Sequence, residues 1–178
     1  MTDVTVRSLG EEDWEEFKAI RLAALTESPE AFVASVEEER GYDEDFWRLR
    51  MRRSARFVAQ QETGSGVEQL GVVSLGDGRD EGGRVAEIFG LWVAPKARGT
   101  GVATKLVQAT AERARRDGRT HVAYWVGTDN GRAVAFASGM GFRPTDFRRP
   151  MRVTSDDPDE EIAMVLALGD ERGGPVTL

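Results

Sequence analysis

The residues best suited to chemistry lie in one short glycine-containing segment. Arg98–Ala103 reads Arg-Gly-Thr-Gly-Val-Ala, between an apolar run, Ile88–Ala94, and an amphipathic segment, Val102–Ala114. This order predicts a strand, a glycine loop and a helix. Glycines leave backbone N–H groups uncovered at the start of the helix, where the helix dipole also favours negative charge. The segment therefore predicts a site for a phosphate-bearing ligand.

Two common phosphate-binding motifs fit this segment poorly. A P-loop requires Gly-x-x-x-x-Gly-Lys-Ser/Thr, but here Lys105 follows Thr104 and precedes Leu106, so the second glycine and the metal-binding hydroxyl are missing. A dinucleotide-binding loop requires Gly-x-Gly-x-x-Gly after the first strand of a βαβ unit. Gly99 and Gly101 are followed by Thr104 at the third glycine position, and several strands precede them.

Composition excludes several other kinds of site. The 178 residues include no cysteine, which rules out disulfides, thiolate metal sites and a cysteine nucleophile. The single histidine, His121, leaves little room for a histidine metal site or a Ser-His-Asp triad, so we expect no metal and a structural role for this residue. The net charge of −7 argues against a nucleic-acid partner.

Apolar patterning bears on the compartment. No apolar run approaches the roughly 20 residues that span a bilayer, so we expect no membrane partner. Met1–Val6 lacks the basic and apolar stretches of a secretory signal. We therefore expect a cytoplasmic protein.

The elements that would position the loop follow the order β-α-α-β-β-β-α-β-α-β. They are, in chain order, strand Val4–Leu9, helices Glu11–Leu25 and Glu44–Arg53, strands Arg56–Gln60, Gln69–Leu75 and Arg84–Ala94, a helix from Val102 to near Asp117, strand Thr120–Val126, helix Asn130–Gly139 and strand Glu161–Leu168. Asp43 and Asn130 are the predicted N-caps of their helices, and Gly118 is the predicted C-terminal glycine.

Two segments are less regular. Ala31–Arg40 is either a loop or a short helix, and Asp146–Pro158 is polar and predicted to be irregular, with at most a short strand inside. We find no internal repeat and no interior linker. The expectation is a mixed α/β fold in a single domain over residues 1–170, followed by a flexible tail at residues 171–178.

The glycine loop and its flanking segments resemble the GNAT superfamily of N-acetyltransferases. Arg98-x-x-Gly101-x-Ala103 is similar to the acetyl-CoA signature of that family, Gln/Arg-x-x-Gly-x-Gly/Ala. Other similar segments occur in the order of the family and cover nearly the whole chain. They are Arg21-Leu22-x-Ala24-Leu25, Ser28-Pro29-Glu30-Ala31-Phe32, Ala86-Glu87-Ile88, Leu91-Trp92-Val93, Asn130-x-x-Ala133-x-x-Phe136 with Gly141-Phe142, and Glu161–Leu168.

The resemblance implies a fold and a set of contacts with the cofactor. The fold is a six- to seven-stranded, mostly antiparallel sheet with about four helices and a V-shaped splay between strands four and five, where Gly90 would form a bulge. Backbone groups of Leu91 and Val93 would bind the pantetheine arm and the thioester carbonyl. Asn130 and Phe136 would contact the same arm. The residues that would surround the pyrophosphate are Arg98, whose side chain could also pair with phosphate, Gly99, Thr100, Gly101, Val102 and Ala103.

The residues that would transfer protons are less clearly indicated by the sequence. Glu87 on strand four is the candidate general base, and the alternative is an exposed or ion-paired strand carboxylate. Many members of the family carry a tyrosine as general acid where this chain has Ala137. Tyr124 and Tyr42 could substitute, although packing roles are the alternative. Water could also protonate the thiolate, since a thiol has a pKa of about 8.5.

The resemblance implies transfer of an acetyl group from acetyl-CoA, as co-substrate, to a primary amine in a ternary complex. Two alternatives stay open, a weak or inactive CoA-binding sensor or scaffold and a transferase of a longer acyl group. Ser28–Tyr42 and Asp146–Pro158 would wall the acceptor site. Acidic residues within Glu30–Glu39 could attract a cation there or form a solvated face. The acceptor is a small-molecule amine or a protein or peptide amine, and the chain is a monomer or a homodimer.

Overall fold

The computed structural model describes residues 3–150, 160–169 and Leu178. Within this part the chain forms seven strands and five α-helices. They are β1 (Thr5–Leu9), α1 (Trp14–Glu27), α2 (Val36–Arg40), α3 (Glu44–Arg53), β2 (Ala55–Thr63), β3 (Gly66–Asp77), β4 (Val85–Val93), α4 (Val102–Arg116), β5 (His121–Gly127), α5 (Gly131–Gly139), β6 (Arg143–Pro150) and β7 (Glu160–Ala167). Single turns of 3-10 helix occur at Glu11–Asp13, Pro29–Ala31 and Pro95–Ala97.

The strands form a sheet in the order β1-β2-β3-β4-β5-β7-β6. The β4–β5 pair is parallel, whereas β1–β2, β2–β3, β5–β7 and β6–β7 are antiparallel. The mixed α/β class and the largely antiparallel sheet predicted from the sequence are therefore confirmed. None of the helices in the described ranges is long and apolar enough to cross a bilayer.

The chain divides into two compact units. One consists of Met1–Gly76 and Gly90–Thr110, and the other of Asp77–Phe89 and Ala111–Leu178. The predicted single domain over residues 1–170 stays a prediction. The tail predicted at residues 171–178 lies outside the described residues except for Leu178.

The core of the first unit joins α1 and α3 to the antiparallel strands β1, β2 and β3. Its buried members are Leu9, Phe17, Ile20, Ala24, Trp47, Met51, Val58, Val72 and Trp92. The rings of Phe17 and Trp47 meet edge to face, with 6.0 Å between their centroids. Phe17, Ile20 and Ala24 recur at helical spacing on α1, which is the pattern that predicted this helix.

The second unit is built on the first half of β4 and on β5, β6 and β7. The parallel ladder runs from Val85 paired with His121 to Ile88 paired with Tyr124, although β4 itself continues to Val93. The expected splay would begin beyond Ile88 and stays a prediction. At the end of α4, Gly118 has a φ of +80°, which confirms its predicted role as the C-terminal glycine.

The structure decides one open prediction and corrects another. The segment Ala31–Arg40, left open between a loop and a short helix, contains the helix α2, in which the Ser35 hydroxyl accepts a hydrogen bond from the Glu38 N–H at 3.1 Å. The described residues thus form five α-helices where about four were expected. Residues 146–150, predicted to be irregular, belong to β6. This strand lies at the sheet edge, where proline is tolerated, and its half-buried side chains alternate at Thr145, Phe147 and Arg149. The rest of that predicted loop, residues 151–159, lies outside the described residues.

Removing the N-cap of α3 should destabilise the protein. The Asp43 carboxylate accepts the Phe46 N–H at 2.9 Å, so Asp43→Ala should lower the free energy of unfolding by about 1 kcal/mol in urea denaturation. Asp45→Ala removes the same charge from the first turn without removing the cap, and we expect a smaller loss. Equal losses in the two variants would show that charge, not capping, matters at this terminus.

Candidate active site

The glycine loop connects the end of β4 to the start of α4. Gly99 and Gly101 have φ values of +79° and +90°, which side-chain-bearing residues rarely adopt. The Lys105 N–H donates to the Gly101 carbonyl at 3.1 Å and so begins the helical hydrogen bonds. The N–H groups that precede it at the helix start have no acceptor within the helix. The predicted arrangement of strand, glycine loop and helix is therefore present.

The side chains of the loop leave the space in front of α4 open. An ideal Cβ built on Gly99 or Gly101 has no described atom within 4 Å. Val102 is buried in the first unit, so its side chain is not available to a ligand. The Thr100 hydroxyl donates to the Ala97 carbonyl at 2.5 Å, and Ala103 adds only a methyl group to the first turn. The loop therefore presents backbone groups to its surroundings.

The Arg98 side chain ties the loop to β4 and α1. Its Nε donates to the Val93 carbonyl at 3.0 Å, and its Nη2 pairs with a Glu27 carboxylate oxygen at 2.8 Å. Glu27 also accepts from the Ser28 hydroxyl and from the Trp92 indole, the latter at 2.9 Å. Hydrogen bonds from Ser28, Trp92 and Arg98 lower the pKa of Glu27. The predicted contact of the Arg98 side chain with phosphate therefore competes with an existing ion pair.

One face of β4 is accessible along its length. Ala86, Ile88 and Trp92 are buried, and the residues between them are half-buried or exposed. Glu87, Phe89, Leu91 and Val93, which were predicted to share a face, are these more accessible residues. Gly90 has a φ of +64°, so the backbone is distorted where the sequence predicted a bulge.

Glu87 belongs to the second unit and has a charged neighbour. Its carboxylate lies 3.6 Å from the Arg149 Nη1, and the Arg149 Nε lies 3.3 Å from a Glu161 oxygen. The Arg149 guanidinium also stacks over the Trp125 ring at 4.3 Å. The alternative predicted for Glu87, an ion-paired strand carboxylate, is what the structure shows. Its role as a general base stays a prediction, and Arg149 would have to be displaced or shared in that role.

The remaining predicted cofactor contacts, Asn130 and Phe136, also lie in the second unit. The Asn130 side chain accepts the Ala133 N–H at 3.1 Å and thereby caps α5, as predicted. Phe136 is half-buried on α5, and Ala137 is fully buried. Across residues 3–150 and 160–169, no cluster of three or more His, Cys, Asp or Glu residues could hold a metal ion.

The tyrosines and the histidine show environments that bear on acid–base chemistry. Burial, and then the Glu161 charge, raise the pKa of Tyr124 to about 12, so this phenol is a weaker acid than an ordinary one. Burial and the Glu38 charge also raise the pKa of Tyr42. Burial, followed by Arg84, lowers the pKa of His121, whose Nδ1 shares a hydrogen bond with its neighbouring threonine. These environments fit packing roles better than proton transfer.

Sequence patterns missed Glu27 and Arg149. Glu27 is 71 positions from Arg98 in the sequence, and its acidic side chain looks like any other on the exposed part of a helix. Arg149 lies in the segment predicted to be irregular. Only the fold brings each next to its partner, and neither belongs to a motif that could have identified it.

The high pKa of Tyr124 predicts a late step in the alkaline titration. Only two tyrosines contribute, so tyrosinate absorbance should show one group that ionises near pH 12, and Tyr124→Phe should remove that step. Because the folded pKa is raised above the ordinary value of 10.0, this group stabilises the fold fully below that value, and the contribution is lost as pH rises toward 12. Ionisation of both tyrosines near 10 would contradict this environment.

Comparison with known proteins shows that the glycine loop lies within a segment that matches a family model. The model of the acetyltransferase (GNAT) family matches residues 12–142, which include β4, the loop and α4. An uncharacterised N-acetyltransferase of Methanocaldococcus jannaschii is 41% identical over 58 residues, which are 33% of this chain and 26% of that relative. The chain thus spans about a quarter of the length of this curated relative.

Solved structures share the fold over nearly the whole chain. The yncA structure of Salmonella typhimurium, which contains acetyl-CoA as its cofactor, has a TM-score of 0.72 and 21% identity, covering 98% of this chain and 99% of that one. Ribosomal-protein-alanine N-acetyltransferase from Brucella melitensis has a TM-score of 0.67 and 22% identity, covering 92% and 99%. Because the family model matches residues 12–142, which are most of this chain, the chain belongs to the GNAT family of acetyltransferases.

Proposed function

We propose that this protein transfers an acetyl group from acetyl-CoA to a primary amine. The observation that carries the proposal is the glycine loop, which puts uncovered N–H groups at the start of α4 within the segment that matches the family. The acceptor is a small-molecule amine or a protein or peptide amine, and the protein acts in the cytoplasm as a monomer or homodimer without a nucleic-acid or membrane partner.

The loop suits the pyrophosphate of coenzyme A. Backbone N–H groups of residues 98–103 would donate to its oxygens, and the dipole of α4 would add roughly 1 kcal/mol of attraction. Gly99 and Gly101 have positive φ, and a Cβ built on either would have no described atom within 4 Å. A side chain at either position would enter the space that the ligand needs.

The strand next to the loop suits the thioester. A thioester oxygen accepts hydrogen bonds, so the groups of β4 that could polarise it are backbone N–H donors, with Leu91 and Val93 as the candidates. A donor aimed at an oxyanion typically contributes about 3 kcal/mol to the transition state. The Glu27–Arg98 pair would hold β4 and the loop together while the cofactor binds.

The transfer itself requires a neutral amine and a leaving thiolate. The amine nitrogen attacks the thioester carbonyl, a C–N bond forms, and the C–S bond breaks as the tetrahedral intermediate collapses. The amine proton passes to Glu87, directly or through a water, and the thiolate takes a proton from water. Because a thiol is acidic enough to leave without a strong acid, the buried Ala137 does not prevent the reaction.

The function is tested by following thiol release from acetyl-CoA in the presence of a panel of amines. We expect amine-dependent release, and we expect Gly101→Glu to abolish both acetyl-CoA binding and release, since the new carboxylate fills the anion site. Gly118→Glu is the matched control, because Gly118 also has a positive φ and open space around it but lies at the other end of α4. Binding without release for any amine would favour a sensor, and no binding would contradict both functions.

The base is tested by a pair of substitutions around Arg149. Glu87→Gln should lower kcat by about 100-fold or more, the usual contribution of a general base. Glu161→Gln removes the other carboxylate that contacts Arg149 and should leave kcat within a few-fold of the unaltered protein. Full activity of Glu87→Gln across the pH range would remove Glu87 from the mechanism.

A further inference from the structure

A cavity of about 510 Å³ lies beside the glycine loop in the first unit, and we call it the lysine cavity. Its walls come from the segment before β1, from β2 and β3, and from the stretch between β4 and the first turn of α4. Its lining includes Asp3, Val4, Leu70, Lys96, Thr100 and Lys105. The volume is in the range of small-molecule sites. Because Thr100 also belongs to the glycine loop, a ligand in this cavity would adjoin the backbone donors of the loop.

Lysine is rare in this chain, and it is concentrated at this cavity. Of the three lysines in the 178 residues, Lys96 and Lys105 both line it. The Lys105 Nζ donates to the Val4 carbonyl at 3.2 Å, a neutral acceptor that takes one of its three N–H donors. The Lys96 ammonium pairs with Glu68, but its side chain is 59% exposed, and such a surface pair adds little stability. Both ammonium groups therefore retain donors for a ligand in the cavity.

The position of Lys105 on α4 favours an anion nearby. Its N–H donates to the Gly101 carbonyl in the first turn of the helix, where the positive end of the helix dipole disfavours a cation. This turn, residues 102–105, contains no acidic side chain that would offset the charge. An anion in the cavity would interact favourably with the ammonium group and with the helix dipole at once.

The other lining groups restrict which anion fits. The Gln61 side chain adds a neutral amide, and the buried Leu70 adds an apolar surface for the organic part of a ligand. Asp3, which is exposed, contributes a carboxylate that would weaken the binding of any anion. A ligand of this cavity therefore needs enough negative charge to pair with two lysines in the presence of Asp3.

We propose that the lysine cavity binds a phosphate monoester, with Lys105 and Lys96 as its charged contacts. Such a group carries about −1.5 to −2 charge at neutral pH, which suits two ammonium groups, and lysine binds phosphate as a point charge. The phosphate belongs either to the ribose 3′-phosphate of acetyl-CoA or to a separate phosphorylated small molecule. The first source rests on the proposed function, and the second does not.

The first source is tested by calorimetric titration with acetyl-CoA and with acetyl-3′-dephospho-CoA, which differ only in that phosphate. We expect acetyl-CoA to bind about 10-fold or more tightly, as charge-assisted hydrogen bonds predict. Lys105→Gln should bring the ratio of the two affinities close to one, and Asp3→Asn should raise it, because a repelling carboxylate is removed. Arg53→Gln removes the same charge as Lys105→Gln from an exposed position on α3 and should leave the ratio unchanged.

The second source is tested by titrating ribose 5-phosphate into the protein with and without saturating acetyl-CoA. We expect binding that persists in the presence of acetyl-CoA, weakens in Lys105→Gln and strengthens in Asp3→Asn. Lys105-dependent binding in either titration supports the cavity and identifies the source of the phosphate.

Affinities that do not depend on Lys105 in either titration would overturn this inference and leave the proposed transfer in place. Failure of acetyl-CoA to bind at all would instead contradict the proposed function. In that case, ribose 5-phosphate binding to the unaltered protein and to Lys105→Gln would still decide between a phosphate site and none.

Discussion

The first N–H groups of an α-helix have no acceptor within the helix. The candidate site depends on how the backbone before α4 leaves these groups open. Gly99 and Gly101 take backbone conformations that leave those groups uncovered, while Val102 and Leu106 are buried and fix the first turn of the helix in the first unit. The first turn of the helix is thus anchored in the first unit, and its first N–H groups have no acceptor within the helix. A compact anion is the ligand that meets both conditions.

Ion pairs decide which charged side chains remain available for chemistry. Arg98 pairs with Glu27, Glu87 with Arg149, and Glu39 with two arginines. For binding a phosphate, we therefore expect the backbone N–H donors of the loop to contribute more than the charge of Arg98.

The sequence was informative where local rules operate. The caps at Asp43 and Asn130, the C-terminal glycine at Gly118 and the glycine loop each depend on neighbouring residues, and the structure confirms all of them. It was less informative at β6, because an edge strand tolerates proline and charge that usually indicate a loop.

Contacts between distant segments could not be predicted. The Glu27–Arg98 pair and the pairs of Glu39 with Arg21 and Arg50 join residues whose proximity depends on the packed fold. Nothing in their local sequence distinguishes them from solvated charges. The family could be predicted from the sequence because several short segments, each of low specificity alone, occur in the order found in the family. The role of Glu87 was not, because its ion pair with Arg149 depends on the pairing of β6 with β7.

We propose that the loop before α4 binds the phosphate groups of the acyl donor. The most direct measurement is calorimetric titration of the protein with S-acetyl-4′-phosphopantetheine and with S-acetylpantetheine, which differ by one phosphate. We expect the phosphorylated compound to bind at least about 10-fold more tightly, which corresponds to roughly 1.4 kcal/mol. Equal affinities for the two compounds would contradict the account.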